Sequence, residues 1–129
     1  MARILVAEDE PNVRAFIARA LEISGHETTL AEDGQRALEA LAEADYDLLL
    51  SDIVMPELDG IALALKVAQK WPEMRVLLMS GYAQERQRAH NLDVLAHAVL
   101  PKPFDLATLR ETVDAALEGD VEPTIRRRH

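Results

Sequence analysis

Three short runs in this chain, RILVA from Arg3, DLLLS from Asp47 and RVLLMS from Arg75, are apolar without alternation. A strand with one wet face alternates apolar and polar residues, so an unbroken run belongs in a strand covered on both faces, as in a parallel sheet under helices. HETTL from His26 and AHAVL from Ala96 continue the rhythm as weaker strands. The stretches between are amphipathic, and five βα units result: an α/β domain built on a five-stranded parallel sheet with helices on both faces.

The helices are marked by their own punctuation. Pro11 suits a first helical position behind Glu10, Val13, Phe16, Ile17, Ala20 and Leu21 mark one face, and Gly25 ends the run. A second helix from Gly34 carries Ala37, Leu38 and Leu41; a third, from about Leu58, carries Ile61, Leu65 and Ala68 and stops before Pro72. The last opens on Asp105 as N-cap, with Leu106, Leu109, Val113, Ala116 and Leu117 on one stripe. AQERQRAHNL, residues 83–92, differs, offering only Ala83, Ala89 and Leu92 for burial. That sparse apolar content predicts a loosely held helix, read as an ordinary solvated one unless a site lies beside it. Residues 1–118 form one domain, and 119–129, with little periodicity, are expected to be a flexible tail.

Composition narrows the function. A formal charge of −9 repels phosphate backbones, so no nucleic-acid partner is expected, whereas cations and cationic partners are favoured. The absence of cysteine excludes disulfides and thiolate metal sites, and His26, His90, His97 and His129 lack zinc-ligand spacing. MARILVAEDE turns acidic too soon for a secretory signal, and no apolar run approaches the roughly 20 residues of a membrane span, so a cytoplasmic location without a membrane partner is expected.

Chemistry gathers where strands end. Glu8 and Asp9 follow the first strand, Asp52 the third, Ser80 the fourth and Lys102 the fifth. In an open parallel sheet the crevice beyond those carboxyl ends is where ligands bind. Each residue alone has a plain explanation, since acids near helix starts complement the dipole. Together, three carboxylates would repel unless a cation joined them, and an all-oxygen set suits Mg2+. An ammonium and a hydroxyl facing the same point suit an incoming phosphoryl group, with Asp52 as nucleophile. Lys102 precedes Pro103, a bond that can be cis and would fix the lysine's approach.

LVAEDE, SDIVMPELDG, MSGYA and PKPF, in that order and on the right βα units, resemble the response-regulator receiver family over residues 3–118. The resemblance implies a flavodoxin-like sheet of order 2-1-3-4-5. It also implies Asp52 as phosphoacceptor, Asp9 and Asp52 as Mg2+ ligands, Glu8 as a second acid reaching the metal through water, and the Val54 carbonyl as a further ligand. Ser80 stands where a threonine is also common, and Val99 stands where many receivers carry a rotating aromatic. Tyr82 is either a substitute switch or an ordinary half-buried tyrosine.

A closer likeness, through ARALEISGHE and LLMSGYAQERQRAH among other stretches, is to stand-alone receivers of alphaproteobacteria. These bind the N-terminal domain of the ClpX unfoldase when unphosphorylated, direct ClpXP proteolysis, and receive phosphate through a hybrid histidine kinase and a histidine phosphotransferase. The resemblance implies the same partners here, with Tyr82, Gln84, Arg86, His90 and Val99 on or beside the contact, and a signalling protein rather than an enzyme. A Mg2+-dependent aspartyl-phosphate phosphatase is the enzymatic rival, but its signature wants an acid where Val54 stands. A phosphate-shuttling receiver without a ClpX partner is another reading, and a pseudo-receiver conflicts with the intact acid, hydroxyl and lysine set. Neither nucleotide-binding glycine motif is present.

Overall fold

The computed structural model describes residues 1–81 and 98–118. Five parallel strands, β1 (Arg3–Ala7), β2 (Glu27–Ala31), β3 (Leu48–Asp52), β4 (Arg75–Ser80) and β5 (Ala98–Pro101), lie in the order β2-β1-β3-β4-β5. The described helices are α1 (Pro11–Ile23), α2 (Gly34–Glu43), α3 (Gly60–Lys70) and α4 (Leu106–Glu118). The polar helix expected over residues 83–92 and the tail from 119 lie outside the described residues and take no label. Among the described residues no helix is long and apolar enough to cross a membrane.

The unbroken apolar runs are explained by two cores, one on each face of the sheet. Leu5, Leu49 and Leu78 point toward α2 and α3, where Ala37, Leu41, Leu63, Ala64 and Val67 meet them. Ile4, Val6, Leu48, Leu50, Leu77 and Met79 point the other way, against Ile17 and Leu21 of α1 and Leu109 and Val113 of α4. Alternate residues therefore serve opposite cores, and Leu48, Leu49 and Leu50 are all fully buried. Each such side chain contributes about 1.5–3 kcal/mol by leaving water. At the edge, β2 keeps Leu30 exposed, in line with its weaker sequence signal.

Helix boundaries follow their caps. The Glu10 side chain accepts from the Asn12 N–H at the start of α1, and Gly25 takes a positive φ of 90° just past its end. Asp33, Asp59 and Asp105 cap α2, α3 and α4 by accepting from the N–H groups of Arg36, Ala62 and Thr108. In α3 the expected face is out of phase: Leu65 and Ala68 are exposed, and the buried stripe is Ile61, Leu63, Ala64 and Val67. The helix starts at Gly60 rather than Leu58, and the sheet selects the 60-63/64-67 row over the sparser row through Leu65. Phe16 of α1, expected inside, is likewise exposed.

Candidate functional site

The parallel register brings the strand ends together. Ala7 pairs with Ser51, Asp52 with Met79 and Ser80 with Pro101, so the residues at or just past those ends share one rim. Glu8 and Ser80 are fully buried and Asp52 nearly so, while Asp9 is exposed. The Lys102 N–H donates to the Ser80 carbonyl at 2.7 Å, tying the end of β5 to the end of β4. The Lys102–Pro103 peptide bond is cis.

The lysine turns inward. Lys102 Nζ lies 2.6 Å from Glu8 Oε1 and 3.1 Å from Asp52 Oδ2, bridging two buried carboxylates. Glu8 Oε2 accepts from the Glu10 N–H at 3.0 Å, so both of its oxygens are engaged. Arg14 Nη1 donates to the Glu8 carbonyl at 2.8 Å and ties the turn after β1 to α1. Sequence reasoning missed this contact, because an arginine on a helix surface carries no mark of the carbonyl it will reach.

Asp52 is held from behind. The Ser51 hydroxyl donates to the Asp52 carbonyl at 2.9 Å, and a Cβ at Gly60 would collide with that same oxygen. Glycine there lets the loop after β3 fold back, with the Gly60 N–H donating to the Ile53 carbonyl at 2.7 Å. Within that loop Glu57 adopts a left-handed φ of 70°. Val54, expected to offer its carbonyl, is exposed beside the site.

Charge and burial oppose one another at this rim. The Asp52 carboxyl is pushed from its ordinary 3.8 up to about 6, first by burial and then by the Glu8 charge, with Asp9 adding and Lys102 opposing through charge and hydrogen bond. Burial alone would lower Lys102, but the hydrogen bond to Glu8 and the charges of Asp52 and Glu8 prevail and raise it. A lysine kept charged beside an aspartate, Asp52, that resists ionisation is a site short of positive charge. Glu8, Asp9 and Asp52 each offer an oxygen, and these lie within 4.8 Å of one another. Three hard oxygens around one point, two on buried residues, fit a divalent cation that keeps part of its water.

The site opens into a groove of about 760 Å³ between α1 and the segment after β5. Asp9, Asp52 and Lys102 form one end, and Val13, Phe16, Pro103 and Phe104 the apolar remainder. The rings of Phe16 and Phe104 are 6.4 Å apart, which explains why Phe16 leaves the core: it builds the rim of the groove with the aromatic of PKPF. Val99 is half-buried and packs against the core shared with α2 and α3. Tyr82, Gln84, Arg86 and His90 lie outside the described residues.

The response regulator receiver domain family matches residues 4–114. The response regulator receiver protein CpdR of Brucella abortus (strain 2308) is 38% identical over 117 residues, covering 91% of this chain and 98% of that protein. The sensor kinase CckA of the same organism is 39% identical over 120 residues, but this chain spans only 13% of its length. The response regulator TrrA of Thermotoga maritima, solved in complex with Mg2+ and BeF, superposes with a TM-score of 0.82 at 32% identity, covering 90% of this chain and 99% of that one. A match along nearly the whole described fold, with the expected sheet order and a curated relative of nearly equal extent, settles the assignment: the chain belongs to the response regulator receiver domain family.

Proposed function

We propose that Asp52 accepts a phosphoryl group from a phosphohistidine on a histidine phosphotransferase or histidine kinase, and that its occupancy switches a protein–protein contact. The observation that carries this reading is the ammonium of Lys102 placed between Glu8 and Asp52 at the mouth of the groove. Asp52 attacks phosphorus through a carboxylate oxygen, the P–N bond breaks, and its electron pair returns to the leaving imidazole. Lys102 then has a phosphoryl oxygen to pair with, and the Ser80 hydroxyl, at the next strand end, is a donor for another. Asp9 and Asp52, with Glu8 through water and the Val54 carbonyl, would hold Mg2+. A bound Mg2+ supplies positive charge to the phosphoryl oxygens during in-line transfer. The apolar groove along Val13, Phe16, Pro103 and Phe104 suits the helix that would present the phosphohistidine.

The reaction is a single acceptance rather than turnover. Mass spectrometry after incubation with Mg2+ and a small acyl-phosphate donor is expected to find one added phosphate, lost in Asp52→Asn and with chelator. Continuous phosphate release from an unrelated monoester would instead favour a phosphatase.

The output we infer is that of a CpdR-like adaptor: the unphosphorylated form binds the ClpX N-terminal domain and steers ClpXP proteolysis, and phosphate releases it by linkage. The 38% identity to CpdR, over a match that covers 98% of that protein, supports this reading. Pull-down with ClpX in the presence and absence of a phosphoryl mimic tests it, and equal capture would remove the switch. A phosphate-shuttling receiver without a ClpX partner is the second reading, favoured by the 39% identity to part of CckA, and failure of any ClpX capture would select it.

A further inference from the structure

At the pole opposite Asp52, around the amino ends of the strands, lies a bowl of about 860 Å³. Its wall carries five carboxylates, Asp45, Asp47, Glu73, Asp114 and Glu118, against the cationic side chains of Lys70 and Arg75. Asp45, Glu73 and Glu118 have no hydrogen-bond or ion-pair partner among the described residues. Two aromatic rings line the bowl, and each already has a cation over its face: Arg3 at 5.5 Å from the centroid of Tyr46, and Lys70 Nζ at 5.9 Å from that of Trp71. His26 also lines the bowl. Its Nδ1 accepts from the Ala2 N–H at 3.1 Å, so the neutral ring carries its proton on Nε2. That Nε2 is buried, with 9% of the side chain exposed, and has no hydrogen-bond partner; Asp114 Oδ1, at 3.7 Å, is too far to accept.

We propose that this bowl docks a basic peptide segment of a partner protein, an extended stretch carrying arginine or lysine beside an aliphatic or aromatic side chain. The unpaired carboxylates of Asp45, Glu73 and Glu118 take the cations, and Met74 and Leu117 meet the apolar side chain. A metal ion fits less well, since Glu8, Asp9 and Asp52 are the carboxylate group close enough to hold one among the described residues, and they lie at the other pole. A nucleic acid is refused by the sign of the charge. The inference stands independently of any chemistry at Asp52.

The protein's single tryptophan, Trp71, lies in the bowl and reports directly on its occupancy. The full chain is titrated at low salt with a synthetic peptide of three arginines and two leucines, and with a counterpart in which glutamates replace the arginines. A saturable change in Trp71 fluorescence is expected with the arginine peptide alone. It should weaken about ten-fold in Asp45→Asn combined with Glu73→Gln, and also in high salt. Glu32→Gln with Glu111→Gln, removing the same charge outside the bowl, should leave binding unchanged. Equal response to both peptides, or equal weakening by both double variants, would overturn the proposal. A shift of Trp71 emission with protein concentration and no peptide would make a second copy the occupant. A shift produced by Arg126→Ala, Arg127→Ala and Arg128→Ala together, without peptide, would make it the chain itself; either result also overturns the proposal.

Discussion

Replacing Asp52 with asparagine should stabilise the metal-free protein while abolishing its chemistry. The Asp52 carboxyl titrates near 6 in the fold against 3.8 ordinarily, because burial and the Glu8 charge outweigh Lys102. A displacement of that size corresponds to roughly 3 kcal/mol of penalty on the ionised form. The sign follows from proton counting. Between 3.8 and about 6 the native state keeps a proton that the unfolded state has lost, so stability falls as pH rises through that window. Below it both states are protonated and the penalty vanishes; above it the penalty is complete. Asparagine keeps the shape without the charge, and Lys102 retains Glu8 at 2.6 Å. Urea unfolding followed by Trp71 fluorescence should therefore give Asp52→Asn an advantage of about 2–3 kcal/mol at pH 8, a midpoint shift of about 1–2 M, shrinking toward zero near pH 4. Adding Mg2+ should stabilise the wild type and narrow the gap, because the ion binds the native carboxylates and not the unfolded chain. An advantage independent of pH, or a variant less stable than wild type at pH 8, would show that Lys102 more than compensates the burial and would refute the reasoning.

Gly60→Ala should destabilise the fold by about 1–3 kcal/mol in urea and slow phosphorylation together, since its Cβ meets the Asp52 carbonyl oxygen. Lys102→Ala leaves Glu8 and Asp52 facing each other without their shared cation, so Mg2+ affinity measured by calorimetry should persist or rise while phosphorylation from a small donor falls at least about ten-fold. Phe16→Ala with Phe104→Ala should spare phosphorylation by a small donor but slow transfer from a phosphotransferase about ten-fold or more, as expected if the groove docks that partner.

How much of this was legible in the sequence depends on which physical signal each feature leaves. Strands buried on both faces write themselves as unbroken apolar runs, and β1, β3 and β4 fall where those runs stand. Helix starts are equally plain: Asp105 sits where expected because an unpaired N–H needs an acceptor and few residues supply one, and Pro11 because it has no N–H to leave unpaired. The acid, hydroxyl and lysine set could be placed at the strand ends because parallel pairing forces all carboxyl ends to one rim. Helix phase was harder. In α3, Leu65 and Ala68 offered a row that periodicity alone could not distinguish from the buried one, since Leu63, Ala64 and Val67 are just as apolar. Phe16 shows the opposite case, an aromatic that periodicity assigns to the core but that a groove uses. The bowl at the amino ends depends on loops meeting from distant parts of the chain, and no local pattern encodes it; the hold of Arg14 on the Glu8 carbonyl is close in sequence, but an arginine on a helix surface carries no mark of its acceptor.

The three acids at the rim are not equivalent, and burial explains why. Glu8 is fully buried with one oxygen on Lys102 and the other on the Glu10 N–H, so direct ligation of a cation would break an existing bond. Asp9 is exposed, with no such commitment, and a hydrated cation arriving from solvent can exchange a water for it at little desolvation penalty. Asp52 lies between these extremes: buried enough to resist ionisation, yet held by Lys102 at only 3.1 Å. Under the proposed phosphorylation of Asp52, Lys102 is anchored on the residue that does not react and rests more loosely on the one that does. An arrangement of this kind keeps the cation of the site in place whether or not Asp52 is occupied, while leaving one Asp52 oxygen outside the lysine bridge to attack.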